Sequence, residues 1–385
     1  MFSLSAADLS DLRTLVKRAF QLRGNRLDLP IEFRADSSGL AIQAVAAGRA
    51  LRLRLPGEFP SLRFVIPLSV LAACGTSRKG SVEFSLLENN QVAIDWRPAG
   101  IPRRLEVDQP SDVPAEFPGE APRMVVQSPG FLDHLRDAIR TTSGEPSRFA
   151  LNCLQFQGSQ QRIVATDALQ LLIQQECDLP WEEDLLVERN AALLSRELST
   201  RHPLALGRTA SEIVINVGRW TFWLPIQREA RFPRLEACLP GREAAACRLE
   251  LGLVDRQQLL EGLPHLPGAK DGLVTLDLNG HVRLSAPAAG EALPTRWELP
   301  NSWTRGTPLR VTLKRSFLAR ALELGFDHVC FQTNDAPAFC QNPTRTYVAA
   351  VFSGTTTLET EGEAEPAATA PEGTATIPAR ERVPA

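Results

Sequence analysis

The chain has 385 residues, of which 43% are hydrophobic and 23% charged, and a formal net charge of −3. That length exceeds one ordinary core and suggests two or three domains, and the lack of a basic excess confines any nucleic-acid-binding surface to a local patch. No apolar run reaches transmembrane length and no basic start leads into a short apolar core, so a soluble, cytoplasmic protein is expected.

The first residues, MFSLSAADLSDLRTLVKRAF, carry an amphipathic helix pattern. Leu9, Leu12, Val16 and Phe20 share one face, and Arg13 and Lys17 share the other. PIEFRADSSGLAIQAVAAGRALRLRL then alternates as hairpin strands do, and FVIPLSVLAAC, from Phe64, is a short apolar strand running into a helix. GSVEFSLLENNQVAIDW adds strands before the proline-rich EFPGEAPRM at 116–124. A second round opens on SPGFLDHLRDAIRTT, with Ser128 as helix N-cap and Pro129 in the first turn. There Arg136 and Arg140 face away from Leu132, Leu135 and Ile139. RFALNCLQFQGSQQRIVATDALQLLIQQ is the matching hairpin region, LLVERNAALLSREL the matching strand and helix, and EIVINVGRWTFWLP the matching strands, ending at RFPRLEACLP (231–240). The third round is VDRQQLLEGLP, a short helix capped by Asp255 and interrupted by Pro264 and Pro267, then GLVTLDLNGHVRLSAP and LRVTLKRSFLARALELG. From Gly354 onward the chain is rich in Pro, Ala, Thr and Glu and has six Glu against two Arg. It lacks the large apolar groups that offset ordering entropy, so disorder is expected there.

The three strand-into-helix segments align at Pro67, Glu188 and Thr312, at intervals of 121 and 124 residues. An α+β architecture of three domains follows, at 1–123, 124–243 and 244–352, each made of two helix-plus-sheet halves, with 353–385 as an acidic tail. The seven cysteines are scattered and show no paired spacing, which fits small buried hydrophobes in a reducing compartment and not a zinc site.

A threefold repeat of this size, with an Ala-Thr-Asp turn in its middle round, resembles the bacterial sliding clamp, the beta subunit of DNA polymerase III, over residues 1 to 352. The segments that carry the resemblance are FALNCLQF, RIVATDALQL, ARFPRLEACLP and TRTYVAAVF, in that order. Family members typically carry an Ala-Thr-Asp-Gly-His-Arg-Leu turn, a Phe-Pro segment closing the middle domain, and a Tyr-Val-Val-Met-Pro segment near the end. This chain has Ala168, Leu169 and Gln170 at the turn, Ala350, Val351 and Phe352 at the end, and a further 33 residues from Ser353. It reads as a divergent member.

The resemblance implies a DNA-clamp fold, a ring closed by a head-to-tail homodimer, and processivity in DNA replication without any cofactor. It also implies a groove for short peptide motifs of a replicative polymerase and a clamp loader. The matching positions are Leu151, Thr166, Ala168, Leu169, Gln170 and Leu171, then Pro233, Ala237 and Cys238, then Lys314, Phe317, Ala350, Val351 and Phe352. A shallow apolar cleft with a few polar groups suits such a ligand.

Helices lining a DNA-filled ring should present cations to phosphate without reading sequence. Arg13 with Lys17 and Arg136 with Arg140 repeat one spacing on equivalent helices, and Arg196, Arg315 and Arg320 are further candidates. The resemblance adds two loop positions, Arg26 and Arg148. Against these stands the plain reading of solvated helix faces.

Catalysis is rejected. There is no phosphate-binding G-x-x-x-x-G-K-[ST] loop or G-x-S-x-G elbow, and the five histidines have no metal-ligand spacing. FDHVC puts His328 and Cys330 on one side of a strand, which reads as a buried Cys beside an edge His. The rival to a clamp is a paralogue that keeps the fold as an interaction scaffold and has lost processivity.

Overall fold

In a computed structural model that describes residues 1–22, 28–74, 78–110, 115–145, 149–235, 239, 245–267, 272–287 and 294–352, one order of elements recurs three times. The first run is β1 (Phe2–Ser5), α1 (Ala6–Ala19), β2 (Pro30–Asp36), β3 (Gly39–Ala46), β4 (Arg49–Leu55), β5 (Leu62–Pro67), α2 (Leu68–Cys74), β6 (Ser81–Leu86), β7 (Gln91–Trp96) and β8 (Arg103–Asp108). The second is β9 (Met124–Val126), α3 (Phe131–Thr141), β10 (Cys153–Gln157), β11 (Arg162–Thr166), β12 (Gln170–Gln174), β13 (Asp184–Glu188), a 3₁₀ turn (Ala191–Leu194), β14 (Leu204–Arg208), β15 (Glu212–Val217) and β16 (Trp220–Pro225). The third is β17 (Cys247–Glu250), α4 (Leu253–Gly262), β18 (Leu273–Leu278), β19 (Val282–Ala286), β20 (Thr295–Glu298), an added β21 (Trp303–Gly306), β22 (Leu309–Lys314), α5 (Arg315–Glu323), β23 (His328–Phe331), β24 (Ala338–Gln341) and β25 (Arg345–Ala349).

These strands form four antiparallel sheets. Two are four-stranded, β1-β6-β7-β8 and β20-β19-β18-β22. The other two cross between runs: β5-β2-β3-β4 continues into β16-β15-β14-β9, and β13-β10-β11-β12 continues into β25-β24-β23-β17-β21. At the first seam Leu51 faces Phe222, and at the second Leu171 faces Val348. Along β2 the alternation is strict enough to set the faces: Ile31, Phe33 and Ala35 enter the core while Arg34 stays outside. Phe33 stacks on Phe64 with ring centroids 4.7 Å apart, inside a cluster that includes Phe2 and Phe84.

Several local expectations change. The opening residues form a strand before the helix, because Phe2 and Leu4 alternate inward and Ser5 caps α1 by accepting from the Asp8 N–H at 3.0 Å. Ser128 is not the cap of α3: Gly130, at φ +86°, takes that place after a turn in which Phe131 N–H donates to the Ser128 carbonyl. Asp255 is not a cap either. It is fully buried in the first turn of α4 and accepts from Asn301 N–H, Asn301 Nδ2 and Ser302 Oγ at 2.6–2.9 Å, tying the helix to the loop after β20.

The largest change is in the second run, where the helix expected after β13 is a single 3₁₀ turn. Asn190 caps it, accepting from Ala192 N–H at 3.0 Å, and the chain leaves the turn extended at Ser195. Here Arg136 does what a longer helix would have done. Its guanidinium donates to the carbonyls of Leu193, Ser195 and Leu198 at 2.7–3.1 Å. EFPGEAPRM does more than link two runs: Gly119 O accepts from Trp223 Nε1 at 3.0 Å, and Arg52 lies over the rings of Phe117 and Trp223.

Candidate functional site: an apolar cleft and a basic helix flank

The Thr166-Asp167 pair builds the turn between β11 and β12. Asp167 Oδ1 accepts from the N–H groups of Leu169 and Gln170 at 2.9 and 2.8 Å, and Oδ2 accepts from Gln170 Nε2 at 2.9 Å. Thr166 Oγ1 accepts from Ala168 N–H and donates to the Gln170 carbonyl. Such side-chain closure is what Asp and Thr offer a turn. It holds Ala168 at φ +79°, a left-handed conformation that favours glycine. The turn is fixed to β25 from two sides: Ala350 N–H donates to the Leu169 carbonyl and Tyr347 Oη donates to Gln170 Oε1, both at 2.8 Å.

Beside this turn, over the seam of β12 and β25, lies a cleft of about 240 Å³. Of the residues expected there, Leu151, Thr166, Ala168, Leu169, Gln170, Leu171, Pro233 and Ala350 line it. Ala237 and Cys238 lie outside the described residues. Lys314, Phe317, Val351 and Phe352 do not line it. Val351 bridges to Leu313, Phe352 N–H donates to Thr312 O at 2.8 Å, and Lys314 Nζ lies 5.6 Å from the centroid of the buried Phe317 ring. These four lie where the chain after β25 meets β22 and the start of α5.

Five lining residues were missed: Phe149, Arg234, Leu235, Pro337 and Val348. One had a signal. Val348 lies two residues before the lining residue Ala350 at the end of β25, so the strand period puts them on the same side, whereas Phe149 enters through a turn in which Ala150 has φ +50°. Phe149 and Leu169 are half exposed at the cleft and supply its open apolar surface.

The predicted cations divide. Arg13 and Lys17 are half-buried on α1, Arg140 keeps 52% of its side chain exposed, and Arg196 is exposed just past the 3₁₀ turn. Arg136, Arg315 and Arg320 are not on a free face. Arg136 is 12% exposed on the carbonyls described above. Arg315 is buried and donates to the carbonyls of Leu266 and Pro267. Arg320 is 11% exposed and bonds Asp137 Oδ1 and O at 3.0 Å and Glu323 at 3.1 Å. Helical spacing shows which face a cation shares but not what packs against its long side chain. Arg26 and Arg148 lie outside the described residues. Arg18, which was not anticipated, is exposed on α1 and reaches Ser195 Oγ at 2.8 Å.

The FDHVC pair carries no activated nucleophile. Burial pushes the Cys330 thiol up, and His328 Nδ1 contacts Asp327 Oδ1 at 2.9 Å. All six described cysteines are free and buried. Among the described residues no group of His, Cys, Asp and Glu could hold a metal ion, and no helix is long and apolar enough to cross a membrane.

No family model and no curated relative matches the sequence. Solved structures do match the fold. The DNA polymerase III subunit beta sliding clamp of Pseudomonas aeruginosa, bound to griselimycin, aligns with a TM-score of 0.74 at 18% identity, over 91% of this chain and 98% of that one. The subunit beta of Borrelia burgdorferi, in complex with a natural product, aligns at 0.73 and 11% identity over 91% and 97%. The beta subunit of Streptococcus pyogenes aligns at 0.70 and 13% identity over 91% and 99%. The chain has the sliding-clamp fold.

Proposed function

We propose that this chain is a DNA sliding clamp, a non-enzymatic processivity factor that closes into a ring around duplex DNA. In this reading each chain is three domains, 1–123, 124–243 and 244–352, followed by the tail at 353–385. The observation that carries the proposal is the cyclic order of sheet edges. The third strand of one half-sheet in each run is an edge, β4, β12 or β20, and so is the last strand of the other half, β8, β16 or β25. β4 meets β16 of the next run and β12 meets β25 of the next, which among the described residues leaves β20 and β8 open. Open edges invite pairing, and a second copy supplies the missing partner by the same rule. The contact is heterologous, and two copies close it head to tail.

The helices support the same closure. α1 packs by the 3₁₀ turn at the first seam, and α3 is tied to α5 by Asp137 and Arg320 at the second. α4 of one chain then meets α2 of the next. On its open side α4 exposes Leu253, Val254 and Leu260. Arg13, Lys17, Arg140 and Arg196 face the DNA and contact phosphate alone. The cleft takes short peptide motifs of a polymerase and a loader, in the cytoplasm.

The test is topological retention on nicked circular DNA after loading, compared at high salt with and without linearisation. Loss on linearisation alone supports the ring. If an accepted clamp loads and this chain does not, the scaffold paralogue replaces the proposal.

A further inference from the structure

The face of the eight-stranded sheet that turns away from the helices carries a feature the clamp reading does not use. Register puts Arg63 opposite Arg34, Arg34 opposite Ala41, and Ala41 opposite Arg54. Three arginines therefore stand in one row across four strands, interrupted only by a methyl group. Like charges directly opposite each other destabilise a strand pair, and a local rule broken without a packing gain marks a candidate for function. The row borders a cavity of about 690 Å³ whose lining includes Arg34, Asp36, Ala41, Arg52 and Arg54.

The first two arginines are held in place. Glu32, 5% exposed, accepts through one oxygen from Arg34 Nε at 2.9 Å and from Arg63 Nε at 2.6 Å, and through the other from Gln43 Nε2. Burial pushes the Glu32 carboxyl up, but the hydrogen bonds from Arg34, Gln43 and Arg63 outweigh it and hold it below its usual value. The anchor is thus charged at neutral pH. Each guanidinium is fixed by Nε alone among the described residues, and the side chains remain 50% and 63% exposed. Their terminal nitrogens are available as two neighbouring forks, already ordered before any ligand arrives.

We propose that Arg34 and Arg63 form a clamp for a phosphate group; Arg54, two strands and about 10 Å further along, donates from Nη2 to the exposed Glu120 at 3.1 Å and takes a second phosphate of the same ligand by exchanging that surface ion pair. Two forks offer four N–H donors to one anion. A tetrahedral phosphate can accept from both, whereas a planar carboxylate takes one fork bidentately. The source is a nucleic-acid strand or a free oligophosphate. The inference requires neither ring closure nor the helix cations.

The experiment is calorimetric titration of the full chain with tripolyphosphate, with single-stranded oligodeoxythymidylate, and with oligoglutamate as control. Arg34→Gln with Arg63→Gln is expected to weaken tripolyphosphate binding at least tenfold; it also leaves the buried Glu32 with Gln43 alone, so Tm should fall and binding is compared well below the unfolding transition of the variant. Glu32→Gln separates an ordered clamp from diffuse charge. It adds positive charge, so charge alone predicts tighter binding, whereas loss of the shared anchor predicts weaker binding. Tighter binding by Glu32→Gln, unchanged binding by the double variant, or oligoglutamate binding as well as tripolyphosphate each overturns the clamp. Oligonucleotide binding that falls with the double variant identifies a strand as the source. If only tripolyphosphate binding falls, the source is free oligophosphate.

Discussion

Replacing Asp167 with alanine should open the cleft's turn without unfolding the sheet that carries it. The carboxylate accepts three hydrogen bonds, two of them from backbone N–H groups. Bonds to a charged acceptor contribute about 1.5–3 kcal/mol each when buried, but this turn is half exposed and water replaces much of that. A net loss near the lower bound for the whole set, about 1.5 kcal/mol, is comparable with the roughly 1–2 kcal/mol that alanine costs in the left-handed region. Ala168 would then no longer be held at φ +79°, and Leu169 would leave the cleft wall. At about 1.4 kcal/mol per decade, the affinity of the cleft for a short peptide ligand should fall about tenfold, with a drop of only a few degrees in Tm. Adding Ala168→Gly to Asp167→Ala should restore part of the affinity, because glycine reaches the same φ without the steric cost, less about 0.4–1 kcal/mol for its freer unfolded chain. The assay is fluorescence-detected binding, with Tm measured on the same samples. If Asp167→Ala lowers Tm yet binds like the parent, or if the second change weakens binding further, the turn is not a wall of the ligand site.

Three other outcomes are expected. Changing Arg13, Lys17 and Arg140 to Gln should flatten the salt dependence of DNA association by about 0.9 in log–log slope for each phosphate no longer neutralised, whereas Arg136→Gln should chiefly lower Tm by freeing the carbonyls of Leu193, Ser195 and Leu198. If the proposed head-to-tail dimer forms, Leu260→Glu should convert it to monomer in sedimentation without lowering Tm, because its side chain is already partly exposed on α4; a persistent dimer would place the ring contact elsewhere. Burial pushes the His134 pKa down, with the Arg345 charge in the same direction and Asp137, Asp133 and Glu176 opposing. The unfolded chain therefore binds the proton first, and stability should fall as pH drops below about 6.5, less steeply in His134→Gln; parallel pH profiles of Tm would remove His134 as a cause.

Much of this fold was legible because its signals are periodic and repeated. Three strand-into-helix segments at nearly equal intervals set the element order, and strand alternation put Ile31 and Phe33 inside. The cleft was legible where its residues sit in the Ala-Thr-Asp turn, since Thr and Asp there have a local job that sequence neighbours alone can fulfil. What stayed hidden depends on partners distant in sequence. Arg136 and Arg140 have the same helical spacing and chemistry, yet one is 12% exposed and the other 52%. The difference arises more than fifty residues away, where the chain after Asn190 makes only one turn and leaves carbonyls that a guanidinium can reach. The same holds for Asp255, read as a helix cap and found bonded to Asn301 and Ser302. Long polar side chains are chosen by what lies within their reach after folding, so the repeat foretold the helices' positions except after β13, where one 3₁₀ turn stands, while their cations took separate roles, three of the described ones as internal ties and the others on the surface. In a clamp, that division leaves fewer cations per chain to neutralise phosphate than the sequence alone suggests, and the salt slope is where it becomes measurable.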